Sequence, residues 1–135
     1  MSFPTSFPHM KPDEVEILKR YLSSVAPPGT WTIDYRWPMT DREVPQDLVG
    51  GARDMFVATH QKRSEAVCVS GSTVWIVEVK PRVNSSALGQ LLNYRDLARR
   101  VFASNYNIRM VCVAGADDSL VSPSLRAQGI EVVIV

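Results

Sequence analysis

An apolar run with an abrupt end constrains the fold of this chain more than any other feature. The run Thr73–Val77 leads into Glu78-Val79-Lys80, and Pro81 then ends it, because proline cannot donate a backbone hydrogen bond to a neighbouring strand. Side chains of a strand alternate between the two faces of a sheet, so Glu78 and Lys80 should leave on the same face. The pattern therefore predicts a strand that carries a carboxylate and an ammonium group side by side near its end.

The segments on either side of this strand predict a mixed sheet covered by helices. Gly71-Ser72 joins residues 66–70 to residues 73–80 as a two-residue hairpin turn does. Further strands are predicted over 31–37, 54–59, 108–114 and 130–135, helices from Pro12, over 84–102 and from Ser122 to Gly129, and a charged turn over 60–65. This order predicts an α/β protein with an α-β-β-β-α-β core and a C-terminal α-β unit.

The length and composition fit one domain. The chain has 135 residues, of which 45% are hydrophobic, and this is enough for one buried core. Residues 1–9 lack the basic start and continuous apolar region of a signal peptide, so we expect a flexible N-terminal tail over 1–11 and a single domain over 12–135. The formal net charge of +1 excludes a polybasic coat for nucleic acids, while a local basic patch stays open.

Two sequence features bear on the cellular compartment. Cys68 and Cys112 each lie in an apolar, strand-like run, so we interpret them as isolated buried thiols rather than as a disulfide or a metal pair. Such thiols fit a reducing environment. The sequence also contains no apolar stretch long enough to span a bilayer. We therefore predict a cytoplasmic protein without membrane contact.

A second acidic residue, Asp54, stands at the start of the predicted strand 54–59. That strand belongs to the same meander as Glu78, so the two carboxylates could meet at one end of the sheet. With the Val79 carbonyl and water they would form a hard oxygen site that suits Mg²⁺ or Mn²⁺. Lys80 would then stabilise charge that develops on a phosphate. The alternative is a solvated Glu–Lys pair, which contributes about 0–1 kcal/mol.

The helix predicted over 84–102 carries a polar pair. Gln90 and Tyr94 are four residues apart and so lie on one helical face. Because the helix follows Lys80 closely, this face can look back on the strand end and position a phosphate, a base or a water. The alternative is a surface glutamine and a core tyrosine. Arg82 is the preferred phosphate contact among the nearby arginines, since it lies two residues beyond Lys80 and a guanidinium matches phosphate geometry.

Together, Asp54, Glu78-Val79-Lys80 and Gln90-x-x-x-Tyr94 resemble the PD-(D/E)xK nuclease superfamily. The glutamine–tyrosine helix is similar to the branch that contains RecB-type exonuclease domains. The resemblance covers roughly residues 13–114 and implies a restriction-endonuclease-like fold, a mixed β-sheet flanked by helices. Arg53 departs from the superfamily pattern, in which a proline often precedes the aspartate.

The resemblance implies an Mg²⁺- or Mn²⁺-dependent deoxyribonuclease that hydrolyses DNA phosphodiester bonds by metal-activated water. It assigns catalysis to Asp54, Glu78 and Lys80, and substrate binding or site organisation to Gln90 and Tyr94. An acid from the first helix, Glu14 or Glu16, could join the site. Weaker substitutes for Asp54 are Asp34, Asp41 and Asp47.

Two other readings stay open at the level of the sequence. The small size and near-neutral charge also suit a catalytically inactive nuclease-fold module that binds nucleic acid or assembles proteins. The apolar C-terminal strand 130–135 could pair with a second copy as a sheet edge, which would give a homodimer.

Overall fold

The computed structural model describes residues 6–135, which form one five-stranded sheet with helices on both faces. The elements in chain order are α1 (Pro12–Ser24), β1 (Thr30–Arg36), α2 (Gly50–His60), β2 (Arg63–Ser70), β3 (Thr73–Arg82), α3 (Ser85–Val101), β4 (Asn107–Ala116), α4 (Ser122–Ala127) and β5 (Ile130–Ile134). A short 3₁₀ turn, Asp41–Glu43, lies between β1 and α2. The α/β class and the mixed sheet predicted from the sequence are confirmed.

The sheet has the spatial order β1-β2-β3-β4-β5. β1, β2 and β3 form an antiparallel meander, whereas β4 and β5 run parallel to β3. The predicted hairpin turn joins β2 to β3 with Ser70 opposite Thr73, and Gly71 adopts φ +58°, a conformation that glycine takes without strain. α3 and α4 make the crossovers that parallel strands require.

Two apolar clusters hold the helices against the sheet. On one face, α1 packs its buried residues Ile17, Leu18, Tyr21 and Leu22 against Trp31, Val77 and Val111. On the other face, α3 and α4 cover a larger cluster that includes Ile76, Leu91, Tyr94 and Leu125. Glu78 and Lys80 follow Ile76 at alternate positions of β3, so they lie on the α3 side. The fold thus places the strand-end pair opposite the helix that bears Gln90 and Tyr94.

The predicted strand over 54–59 is wrong, because these residues belong to helix α2 (Gly50–His60). The run Met55–Ala58 is too short for its period to distinguish a strand from a helix. Gly50, with φ +57°, is the first residue of the helix, and none of the residues of α2 is buried. The middle strand of the meander is β2, which begins at Arg63 within the segment predicted to be a charged turn.

The predicted N-terminal tail falls partly on residues 1–5, which lie outside the described residues. Beyond them, Phe7 and Met10 pack against the α1-side cluster. Cys68 and Cys112 are both buried and free, as expected. Within residues 6–135, no helix combines the length and the apolar character needed to cross a bilayer.

Candidate functional site

The site forms where the backbone pairing between β2 and β3 ends and hydrogen bonds to side chains take its place. Their paired register runs from Ser70 opposite Thr73 to Ala66 opposite Val77. At the next position the Glu65 backbone N–H donates to Oε1 of Glu78 at 3.3 Å, and the Val79 backbone N–H donates to the Glu65 carboxylate. Each carboxylate is therefore held by the opposite strand, and the two acids face each other across the sheet.

Burial and mutual repulsion make this acid pair electrostatically costly. The Glu78 side chain is only 3% exposed, and Lys80 Nζ lies 4.0 Å from its Oε2. Burial, followed by the charge of Glu65, raises the pKa of Glu78 to about 8, although Lys80 opposes the rise. Burial also raises the pKa of Glu65 to about 7, against the hydrogen bond from Val79. One lysine does not compensate the two buried carboxylates.

The pair opens into a small pocket of about 170 Å³. Its walls are Pro8, His9, Met10, Asp34, Arg63, Ser64, Glu65, Glu78, Gln90 and Tyr94. Gln90 contributes a buried side-chain oxygen, Oε1, that has no hydrogen-bond partner among residues 6–135. Burial raises the pKa of Tyr94, with Glu78 and Glu65 adding to the effect, so its hydroxyl stays protonated near neutral pH. The structure thus brings Glu78, Gln90 and Tyr94 together, with Lys80 beside Glu78.

Asp34 adds a charged cluster to one wall of this pocket. It lies on β1 between Ile33 and Tyr35, which pack into opposite apolar clusters, and its φ of +55° makes this switch of face. Its Oδ2 lies 3.8–3.9 Å from His9, Arg36 and Arg63. Arg63 also donates to the Ala58 carbonyl at 3.1 Å, which ties the end of α2 to β2.

Asp54 does not reach this place. It is exposed on α2, it is not among the residues that line the pocket, and its charge is not among the causes of the raised pKa of Glu78. Glu65, which the sequence-based reading passed over as part of a turn, occupies the position opposite Glu78. Asp34, which was considered only as a weaker substitute for Asp54, also lines the pocket, and Arg63 lines it without having been assigned to the site. The hairpin register was the signal that could have found Glu65.

The remaining candidates are distributed around the site. Glu14 lies near enough for its charge to raise the pKa of both Glu65 and Glu78, while Glu16 is exposed beside Lys19. Arg82 is 65% exposed and pairs with Asp118 at 3.7 Å. The two other acids that had been considered are exposed, Asp41 beside Arg53 and Asp47 in the loop before α2.

The donor set fits a hard divalent cation that keeps part of its hydration. Within residues 6–135, no group of three or more His, Cys, Asp or Glu side chains is arranged to enclose a metal. Mg²⁺, however, usually takes one or two carboxylates and completes its shell with water and substrate oxygens. Two facing carboxylates with raised pKa values and a free amide oxygen in the same pocket meet that need.

The mixed five-stranded sheet with helices on its two faces has the restriction-endonuclease-like α/β fold. Two solved structures share this fold over the chain. One is the crystal structure of a repair endonuclease from Pyrococcus abyssi, with a TM-score of 0.57 and 16% identity over 100% of this chain and 49% of that chain. The other is the structure of an EndoMS–dsDNA2 complex, with a TM-score of 0.56 and 16% identity over 99% of this chain and 48% of that chain.

The chain thus spans about half the length of these two structures. At 16% identity the likeness concerns the fold. No protein-family model matches the chain, and no curated protein sequence matches it.

Proposed function

We propose that this chain is a metal-dependent nuclease that hydrolyses phosphodiester bonds of DNA. The observation that carries the proposal is the reciprocal arrangement of Glu65 and Glu78 beside Lys80 at the end of the β2–β3 hairpin. When both are ionised, buried facing carboxylates destabilise a fold unless a cation joins them. The fold neighbours, a repair endonuclease and EndoMS with double-stranded DNA, support DNA as the substrate.

Glu65 and Glu78 would hold Mg²⁺ or Mn²⁺, with the Val79 carbonyl as a third oxygen donor. When bound, the ion would polarise a phosphate oxygen and lower the pKa of a water molecule. Glu65 replaces Asp54 in this assignment, because Glu65 is the acid that faces Glu78. The carbonyl of Val79 is a reasonable donor since the backbone at this position already bonds the Glu65 carboxylate through its N–H.

The polar side chains of this protein would bind and orient the phosphate and a water molecule. Lys80 lies next to Glu78 with its side chain 15% exposed, so its ammonium can stabilise negative charge that develops on the phosphate oxygens. Gln90 offers an unpartnered amide oxygen that can accept from a water and fix its position. Tyr94, which stays protonated, can donate its hydroxyl proton to an oxygen of the substrate.

Two arginines would contact phosphates outside this centre. Arg63 lines the pocket wall, and Arg82 extends beyond Lys80 on the same strand. A guanidinium binds phosphate oxygens in a forked geometry, and phosphate contacts fix the register of a nucleic acid without reading its sequence. These residues would hold the strand while the acid pair and Lys80 act on one bond.

The test is cleavage of single-stranded, duplex and branched DNA by the purified chain with Mg²⁺ or Mn²⁺. Glu65→Gln, Glu78→Gln and Lys80→Ala should each lower cleavage by at least about 10²-fold, since each removes a group from the centre. Asp54→Asn is the matched control and should cleave like the unmodified chain. Cleavage that survives Glu78→Gln and Lys80→Ala in folded protein would show that the activity lies elsewhere.

A catalytically inactive module that binds nucleic acid or assembles proteins is the second candidate. The lack of a three-ligand metal group among residues 6–135 and the exposed edge strand β5, with Ile134 44% exposed, favour it. Calorimetric titration with Mn²⁺ separates the two. The nuclease requires metal binding that disappears in Glu78→Gln, whereas the inactive module shows none, and sedimentation would reveal a homodimer.

A further inference from the structure

Residues 6–11 form a segment, termed the N-terminal strap, that runs over the candidate site. Pro8, His9 and Met10 form one wall of the pocket whose other walls include Glu65 and Glu78. The strap leads into α1, which begins at Pro12, so its far end is fixed to the domain. Any ligand that reaches the carboxylates from this side must therefore pass the strap.

The pocket beneath the strap is too small for a nucleotide. Its volume is about 170 Å³, whereas sites that bury small organic ligands usually measure about 300–1,000 Å³. A water molecule takes up about 30 Å³ of liquid volume, so a cation with a few waters fits. The pocket bounded by the strap therefore has room for an ion with a few waters beside Glu65 and Glu78, and a nucleotide does not fit within it.

Among residues 6–135, few contacts hold the strap in place. Phe7 and Met10 are half-buried against the α1-side cluster, and Lys19 Nζ lies 5.6 Å from the centre of the Phe7 ring. His9 Nε2 lies 3.8 Å from Asp34 Oδ2, with the imidazole 59% exposed. His9 also adopts φ +64°, a left-handed conformation that side chains other than glycine adopt at an energetic cost.

We propose that the strap covers the surface that binds the nucleic-acid strand, and that the strap opens as a local unit to admit this strand. This inference rests on the proposed nuclease function. Weakly anchored, strained segments open without global unfolding. If only the open form binds DNA, the measured Kd equals the intrinsic Kd divided by the open fraction. Loosening the strap should therefore tighten DNA binding by the same factor by which it raises the open fraction.

The test uses Met10→Cys in a Lys80→Ala background of the 135-residue chain, and the thiol that the substitution at position 10 introduces is termed the reporter thiol. Cys68 and Cys112 are buried, so their reaction with a thiol reagent reports global unfolding, whereas the reporter thiol reports strap opening. Phe7→Ala removes the aromatic anchor. Phe102→Ala is the matched control, since Phe102 is also half-buried but follows α3 at the other end of the sheet. Labelling is measured without DNA, and the Kd of a fluorescent duplex is measured on the same proteins.

The reporter thiol should react well before the two buried cysteines. Phe7→Ala should speed its reaction about tenfold, from the loss of half-buried aromatic surface, and lower the Kd by a similar factor. Phe102→Ala should change neither quantity. Labelling of the reporter thiol in step with Cys68 and Cys112 would overturn the strap alone. Faster labelling with an unchanged Kd would do the same, whereas absence of DNA binding both in every variant and in the chain that keeps Lys80 would overturn the nuclease function itself.

Discussion

Neutralising Glu65 should stabilise the metal-free protein and abolish its response to metal. In Glu65→Gln the amide oxygen can still accept from the Val79 N–H, so the local geometry is kept while one buried charge is removed. The same change removes one of two carboxylates proposed to hold the ion. The variant should therefore gain stability without metal and lose stabilisation by metal, two effects of opposite sign from one substitution.

The magnitude follows from the raised pKa values. The pKa of Glu65 rises from 4.5 to about 7 and that of Glu78 from 4.5 to about 8, so the folded protein holds these protons more tightly than the unfolded chain. The stability that this contributes is complete below pH 4.5 and is lost as the pH rises through 7 and 8. For Glu65 alone the loss is roughly 3 kcal/mol, which corresponds to about 10 °C in Tm for a chain of this size.

The assay is thermal and urea unfolding between about pH 5 and pH 9, in EDTA and in about 10 mM Mg²⁺. Without metal, the unmodified chain should lose stability over this range, and Glu65→Gln should lose clearly less. Near the alkaline end Mg²⁺ should raise the Tm of the unmodified chain but not that of Glu65→Gln. Asp54→Asn, on the exposed face of α2, should behave like the unmodified chain. A flat pH profile in EDTA, or a metal response lost in Asp54→Asn and kept in Glu65→Gln, would refute the reasoning.

Three further predictions concern individual residues. Arg82→Ala should weaken duplex binding and reduce the slope of log K against log salt by about 1, because one phosphate contact is lost, and an unchanged slope would exclude that contact. Gly89→Ala, in open space on α3, should stabilise the chain to urea by about 1 kcal/mol, whereas Gly71→Ala, at φ +58°, should destabilise it by about 1 kcal/mol; equal effects would contradict the turn geometry. Trp37→Phe should cost about 2–3 kcal/mol in urea unfolding, since it leaves the buried Ser64 hydroxyl without the indole N–H at 2.8 Å, and a cost below about 1 kcal/mol would contradict this.

Local patterns were enough to predict the parts of the fold that depend on local structure. The strand Thr73–Arg82 and the helix Ser85–Val101 were expected within a few residues, because each has a long apolar period with clear boundaries. The side chain of Asn84 caps that helix by accepting from the Ala87 N–H at 3.1 Å. These elements place Glu78, Lys80, Gln90 and Tyr94, so half of the site could be derived before the structure.

The second acid could not be recognised from residue type. Asp54 was expected at the start of a strand. The apolar run over 55–58 is too short for its period to distinguish a strand from a helix. Glu65 stands in a polar stretch, and its burial depends on the opposing strand. The two-residue hairpin nevertheless fixes the register: counting back from Ser70 opposite Thr73 places Ala66 opposite Val77, and hence Glu65 opposite Glu78.

The contribution of Asp34 depends on tertiary structure in the same way. Ile33 pairs with Ala66 and Tyr35 with Ser64, so Asp34 stands beside Glu65 on the neighbouring strand. Its positive φ turns the chain from one sheet face to the other, and residue type alone does not predict this conformation. The position of the strap could not be predicted from the sequence either, because its proximity to the pocket depends on how Phe7 and Met10 pack.

The two edges of β3 have different roles: one fixes the backbone that bears the acids, and the other leaves the acids facing the pocket. Toward β4 the pairing is continuous as far as Lys80 opposite Ala114, with Glu78 opposite Cys112, so the backbone that bears Glu78 and Lys80 is fixed. Toward β2 the backbone pairing gives way at Glu65, and the freed N–H groups bond carboxylates instead. A valine at position 78 would continue the apolar face of Ile76 and add roughly 1.5–3 kcal/mol of burial. The sheet can carry two destabilising carboxylates because only one of the two edges of β3 gives up its pairing, and that edge faces the pocket and the strap.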